Sequence, residues 1–180
     1  PFTEMRDFDY NSILRDLKYA DLQCSMSTLR MILASKFMPE YDPYIEYTST
    51  LPEWDGQTDY IERLANTVTT GNPDFWQRAF KKWFVAMTAS WMQTEVVNHT
   101  ALILSGAQGV GKTTWLGNLI PPPLRKYVFA GMINVRDKDS QVKLSECCLI
   151  VMDELENMGR NLDALKELIT KKDIYLRRAY

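Results

Sequence analysis

The residues with the clearest chemical meaning form one glycine-rich segment, Gly106-Ala107-Gln108-Gly109-Val110-Gly111-Lys112-Thr113. Its spacing is G-x-x-x-x-G-K-[ST], in which glycines let backbone N–H groups surround a polyphosphate. In that pattern the lysine reaches the β- and γ-phosphates, and the next hydroxyl binds Mg²⁺. We therefore predict a P-loop (Walker A motif) that binds ATP with Mg²⁺, with Lys112 as a catalytic cation, Thr113 as a metal ligand and Thr114 on the α-phosphate. The alternative is a glycine-rich turn with a solvated lysine.

A second segment could complete this chemistry. The apolar run Leu149-Ile150-Val151-Met152 is followed directly by Asp153 and Glu154. Ligands of α/β sheets bind at the carboxyl ends of the strands, so we predict a Walker B motif here. Asp153 would hold Mg²⁺, and Glu154 would polarise water for attack on the γ-phosphate. The alternatives are an ordinary solvated strand end, or Glu156 acting in place of Glu154.

The elements around these motifs alternate in type. Short apolar runs predict strands and longer periodic segments predict helices. Strand, helix, strand and helix in succession favour a parallel, three-layer α/β sheet. The predicted strands are Thr100 to Ser105, Tyr127 to Ala130 and Cys148 to Met152, and the predicted helices are Lys112 to Ile120, Asp137 to Glu146 and Leu162 to Ile169.

The first half of the chain is predicted to be helical. Its strongest helix starts with Asn72 as N-cap and Pro73 at the first helical position. An apolar stripe at helical spacing follows, formed by Trp76, Phe80, Trp83, Phe84, Met87 and Trp91. Such a stripe is typical of core packing, whereas a base-stacking platform would need exposed rings. Weaker helices are expected around Ile13 to Leu17, Met26 to Leu33 and Ile61 to Val68, and a surface crossing between Met38 and Gly56.

Composition places few limits on function. The chain has 180 residues, 46% of them hydrophobic and 24% charged, which is typical of a globular protein. Its formal net charge of −2 argues against binding nucleic acid by overall charge alone. The three cysteines have no paired spacing, so we expect a reduced, cytoplasmic protein. No apolar run is long enough to span a membrane, and the lone His99 does not suggest a zinc site.

Taken in order, these motifs resemble the virulence-associated E (VirE/VapE) family of phage and mobile-element proteins. The resemblance extends from about Tyr41 to Tyr180. It is carried by Leu51-Pro52-x-Trp54-Asp55-Gly56, the aromatic helix, the P-loop with Thr114, Asp153-Glu154-Leu155-Glu156 and Leu165-Lys166-x-Leu168-Ile169.

The resemblance implies an ATPase core similar to superfamily 3 helicases and primase-helicases, which acts on the DNA of a mobile element and forms a homo-oligomeric ring. It also implies that a basic segment meets DNA, preferably single-stranded, through Lys171, Lys172, Arg177 and Arg178. Without the resemblance, these four residues could equally be a solvated helix end. The family pattern continues with a Thr-Asn sensor and an arginine finger, neither of which follows in this sequence, so weak hydrolysis is expected from this chain alone.

We therefore expect a helical module at residues 1–97 and a P-loop NTPase core of AAA+-like, parallel three-layer α/β type at residues 98–180, truncated on its C-terminal side. The expected activity is that of a DNA-dependent ATPase. A P-loop kinase is one alternative, although Glu154 beside the Mg²⁺ aspartate disfavours it. The other is a non-catalytic module whose ATP site stabilises a complex.

Overall fold

A computed structural model describes residues 5–93, 95–131, 137–152 and residue 166. The chain divides into two compact units, Pro1–Asp42 and Pro43–Tyr180. Nearly all of the buried apolar side chains belong to the second unit. No helix in the described ranges has the length and apolar character that a membrane crossing requires.

The first unit contains two helices, α1 (Asp7–Tyr19) and α2 (Met26–Leu33), which pack against each other. The side chain of Ser25 caps α2 by accepting a hydrogen bond from the N–H of Thr28. Leu29 is the buried residue of this pair. Both helices were expected from the periodicity of the sequence, and this expectation is confirmed.

The second unit begins with three helices, α3 (Pro43–Ser49), α4 (Tyr60–Ala65) and α5 (Pro73–Met92). The Asn72 side chain caps α5 and Pro73 occupies its first turn, as predicted. The predicted aromatic stripe is also core: Trp76, Phe80, Trp83 and Met87 are buried, while Phe84 and Trp91 are half-buried and pack against them.

Short strands and helices alternate after α5. Helix α6 spans Lys112–Asn118, a 3₁₀ helix spans Pro122–Tyr127, and α7 spans Lys138–Glu146. The strands β1 (Val128–Ala130) and β2 (Leu149–Val151) pair in parallel, with Val128 opposite Leu149 and Ala130 opposite Val151. The described architecture is therefore mixed α/β and rich in helix, with a two-stranded parallel sheet.

Two local predictions were wrong. Residues 43–49, expected to cross the surface, form α3, whose Tyr44 and Tyr47 pack against the core. Residues 100–105, expected to be a strand, form none. Their burial alternates as in a strand, with Leu102 and Leu104 against the core and Ile103 69% exposed, but no other described segment pairs with them. A strand requires a hydrogen-bonded partner.

The compact units meet between Asp42 and Pro43, and the module boundary expected after Val97 stays a prediction. Side chains of α5 and α6 share one core. The Trp91 indole N–H donates a 3.0 Å hydrogen bond to the carbonyl of Cys148, the residue before β2. The aromatic helix is thus part of the unit that contains the P-loop.

Candidate functional site: the P-loop

The glycine-rich segment adopts a backbone form that its glycines permit. Gly109 has a φ of 81° and Gly111 a φ of 85°, both in the left-handed region. A Cβ at either position would have no atom within 4 Å, so the backbone angle rather than crowding favours glycine. Two left-handed residues close together turn the chain sharply just before α6.

This turn leaves hydrogen-bond donors at the surface. Residues 106–111 are exposed, and the N–H groups of Ala107, Gln108 and Gly109 donate to no backbone carbonyl in the described part of the chain. Successive N–H groups of this kind in a tight turn can bind an anion. The loop therefore has the donors that a phosphate requires.

The lysine of the motif lies over the same loop. Lys112 Nζ donates hydrogen bonds to the carbonyls of Gly106, at 3.0 Å, and Ala107, at 2.7 Å. Its amine is thus held at the loop rather than directed into solvent. The structure brings the sequence-predicted residues from Gly106 to Lys112 together in one short turn.

Helix α6 fixes the end of the P-loop. Gly111 is its N-cap, and the N–H of Trp115 donates to the Gly111 carbonyl at 2.8 Å. Thr113 is half-buried and Thr114 is exposed, both in the first turn of α6. The two threonines therefore follow the loop on a regular helix.

The second predicted motif is described only as far as its strand. β2 ends at Val151, whose carbonyl accepts a 3.0 Å hydrogen bond from the N–H of Gly131, and β2 packs against α6. The strand that leads to the predicted carboxylates is therefore a neighbour of the P-loop helix. The predicted site residues Asp153 and Glu154, the alternative Glu156, and the basic residues Lys171, Lys172, Arg177 and Arg178 lie outside the described residues.

Cys148, the residue before β2, is a poor nucleophile in this fold. Burial raises the pKa of its thiol to about 11, so the thiol stays protonated at neutral pH. All three cysteines are free. Among the described residues, no three His, Cys, Asp or Glu side chains are grouped to hold a metal ion. The P-loop thus remains the candidate site that the described residues support best.

The Leu51 to Gly56 segment is a turn organised by one carboxylate. Asp55 accepts hydrogen bonds from the N–H groups of Gln57 and Thr58 and from the Thr58 hydroxyl, and the last bond is 2.6 Å long. These bonds, with that of the Thr58 hydroxyl foremost, lower the pKa of Asp55 to about 2. The turn lies at the end of the segment that was predicted to cross the surface, and the role of Asp55 was not predicted. The signal was available, because aspartate side chains commonly accept from the N–H two residues on.

Comparison with protein families identifies the chain. The family model for the virulence-associated protein E-like domain matches residues 48–180, which is most of the chain, so the chain belongs to this family. The predicted resemblance is confirmed. The match begins close to the start of the second compact unit and includes the Asp55 turn, α5, the P-loop and β2. Searches of curated proteins and of solved structures found no match.

Proposed function

We propose that this chain binds ATP with Mg²⁺ through residues 106–113. The observation that carries the proposal is the form of the loop. Its turn is exposed, the N–H groups of residues 107–109 donate to no carbonyl of the described chain, and the Lys112 amine lies 2.7 Å and 3.0 Å from two of the loop's own carbonyls. Phosphate oxygens accept hydrogen bonds from such donors, and a lysine cation balances their charge. Carbonyl oxygens carry no such charge, so the Lys112 amine gains by exchanging them for phosphate.

The proposed roles follow from position. Lys112 binds the β- and γ-phosphates, the Thr113 hydroxyl is a Mg²⁺ ligand, and Thr114 contacts the α-phosphate. When bound, Mg²⁺ neutralises charge that develops on the phosphates. Thr113 suits its role because a threonine hydroxyl can bind Mg²⁺, and Thr114 suits its role because a hydroxyl can donate a hydrogen bond to a phosphate oxygen.

We further propose that the site hydrolyses ATP. Asp153 comes two residues after the end of β2 in the sequence, and β2 packs against α6, which supports the proposal that Asp153 acts together with the P-loop. Asp153 completes the Mg²⁺ site, and Glu154 is the general base for water, with Glu156 as the alternative. This gives a P-loop NTPase core of AAA+-like type.

The proposed biological role is that of a DNA-dependent ATPase, a helicase or primase-helicase of a phage or other mobile element. Family membership and the basic residues Lys171, Lys172, Arg177 and Arg178 support it. The proposal includes a homo-oligomeric ring and a cytoplasmic location, since both suit a protein that acts on an element's DNA.

Thermal unfolding tests the nucleotide site. A ligand that binds only the native state raises the free energy of unfolding by RT ln(1 + [L]/Kd), so millimolar Mg-ATP should raise the Tm. Lys112→Ala should abolish this shift. Lys82→Ala is the matched control, because it removes the same charge from the exposed face of α5 and should leave the shift intact. No shift for the wild-type chain, or an equal shift for Lys112→Ala, would refute the proposal.

A further inference from the structure

The side chain of Trp115, which follows the P-loop threonines, contacts residues far from it in the sequence. The ring of Trp115 lies 5.6 Å from that of Phe80 and 6.1 Å from that of Trp76, measured between centroids. Its indole N–H donates a 2.8 Å hydrogen bond to Oγ1 of Thr67. One side chain of α6 therefore contacts both α5 and the segment that follows α4.

The acceptor of this hydrogen bond is itself fixed. The Thr67 hydroxyl donates to the carbonyl of Leu64 at 2.7 Å, which leaves its oxygen lone pairs to accept from Trp115. Nearby, the indole N–H of Trp76 donates to the carbonyl of Ala65 at 2.9 Å. Both indole groups are thus bonded to the last turn of α4 and the residues just after it.

Helix α6 has few other means of fixing its rotation about its own axis. It has seven residues, begins without a side-chain cap, and contains no fully buried residue. Helices this short are not stable by themselves. Trp115 and Leu116 are its side chains that pack against the core, and Trp115 adds the directional bond to Thr67.

A helix rotates as a unit, so the direction of one side chain sets the directions of the others. We propose that Trp115, held by Thr67, is a positioning residue of the phosphate site. It fixes the rotation of α6 and thereby the place at which the short Thr113 side chain meets Mg-ATP, whereas the long, flexible Lys112 side chain can still reach the phosphates. This inference rests on the proposed nucleotide binding and adds a residue pair that the P-loop pattern does not contain.

A positioning role and a packing role predict different effects of substitution, the first on Mg-ATP affinity and the second on global stability. Thr67 is exposed, so loss of its hydroxyl should have little effect on global stability. A rotated α6 would instead displace the Thr113 hydroxyl from the metal. The part of the ATP affinity that depends on Mg²⁺ should therefore fall more than the affinity measured without metal.

The test is calorimetric titration with ATP, in Mg²⁺ and again in EDTA, alongside the Tm of each variant. Thr67→Val removes the acceptor at nearly constant shape, and Trp115→Phe removes the indole N–H while keeping a ring. Each should weaken Mg-ATP binding about fivefold or more, the effect expected from one lost hydrogen bond, and change binding in EDTA by less than about twofold. Thr67→Ser keeps the hydroxyl and should bind like the wild type.

Trp54→Phe is the matched control, because it also loses a 2.8 Å indole hydrogen bond, to the carbonyl of Thr58. It should leave both affinities unchanged. Wild-type Mg-ATP affinity in Thr67→Val, or an equal loss with and without Mg²⁺, would overturn the positioning role alone. Failure of the wild-type chain to bind Mg-ATP would overturn the proposed function and this inference with it.

Discussion

At the scale of single residues, Asp55 shows how one carboxylate organises a turn. It accepts from two backbone N–H groups and the Thr58 hydroxyl, and Tyr60 lies within reach of the same carboxylate, its hydroxyl 3.5 Å from Oδ2. All of these groups favour the charged form, which explains its low pKa. The carboxylate is exposed, so its stabilising effect comes from hydrogen bonds rather than burial.

The Asp55 turn predicts a specific dependence of stability on pH. The pKa of Asp55 falls from 3.8 to about 2 on folding, so the folded state holds the proton less tightly than the unfolded state. The stabilisation is therefore present above pH 4 and lost as the pH falls towards 2. Asp55→Asn should lower the free energy of unfolding at pH 7, and the difference from wild type should shrink across that window. Denaturant unfolding at pH 7, 4 and 2 measures this, and a difference that stays constant with pH would contradict it.

At the scale of elements, α5 supplies four buried side chains to the core of the second unit. Phe80 is fully buried, and its ring lies 5.2 Å to 6.1 Å from those of Trp76, Trp83, Phe84 and Trp115. The last of these rings, that of Trp115, belongs to α6. Helix α5 thus contacts the helix that carries Thr113 and Thr114.

Removing the Phe80 ring should be strongly destabilising. Phe80→Ala leaves a cavity among four rings and should lower the free energy of unfolding by about 3 to 5 kcal/mol. Phe75→Ala, on the same helix but 62% exposed, should change it by less than about 0.5 kcal/mol. Urea unfolding of both variants measures the difference. Equal losses would show that α5 does not bury the face that carries Phe80.

Much of the element structure was predictable because its signals are local. Asn72 and Pro73 mark the start of α5, Asp137 caps α7, and short apolar runs mark β1 and β2. Helix α3 was missed, although Pro43 at its first position is a recognised start signal. The strand expected at residues 100–105 failed because strand formation depends on a partner elsewhere in the chain.

For the candidate site, the sequence predicted the loop but not the hydrogen bond that holds the following helix α6. The glycine spacing and Lys112 follow from a local pattern, which is why the motif could be found directly. The bond from Trp115 to Thr67 joins residues 48 positions apart, and nothing in the spacing indicates it. Interactions of that kind depend on how α4, α5 and α6 pack together.

At the scale of the whole molecule, the family match and the second compact unit nearly coincide. The match begins at residue 48 and the unit at Pro43. The residues proposed to bind DNA, Lys171, Lys172, Arg177 and Arg178, also fall within the matched residues 48–180. Nucleotide binding and DNA binding are therefore proposed for one family domain.

The DNA proposal predicts an effect of charge on binding. Replacing Arg177 and Arg178 together by alanine should weaken binding of single-stranded DNA and leave ATP affinity unchanged. For each phosphate that the variant no longer neutralises, the slope of log K against log salt should become shallower by about 0.7. Fluorescence anisotropy across a salt series measures this. The control is the double variant Arg78→Ala, Lys82→Ala, which removes two charges from the polar face of α5 and should leave DNA binding unchanged. Wild-type DNA affinity and salt slope in the Arg177, Arg178 double variant would contradict the proposal.

The most direct test of the central claim is amide hydrogen exchange with and without saturating Mg-ATP. If phosphates bind in the P-loop, the N–H groups of residues 107–109 become hydrogen-bonded, so their exchange should slow on adding nucleotide. The same change should be absent in Lys112→Ala at equal nucleotide concentration. Nucleotide that binds the wild-type chain without slowing exchange at residues 106–113, or that protects a different segment instead, would contradict the account.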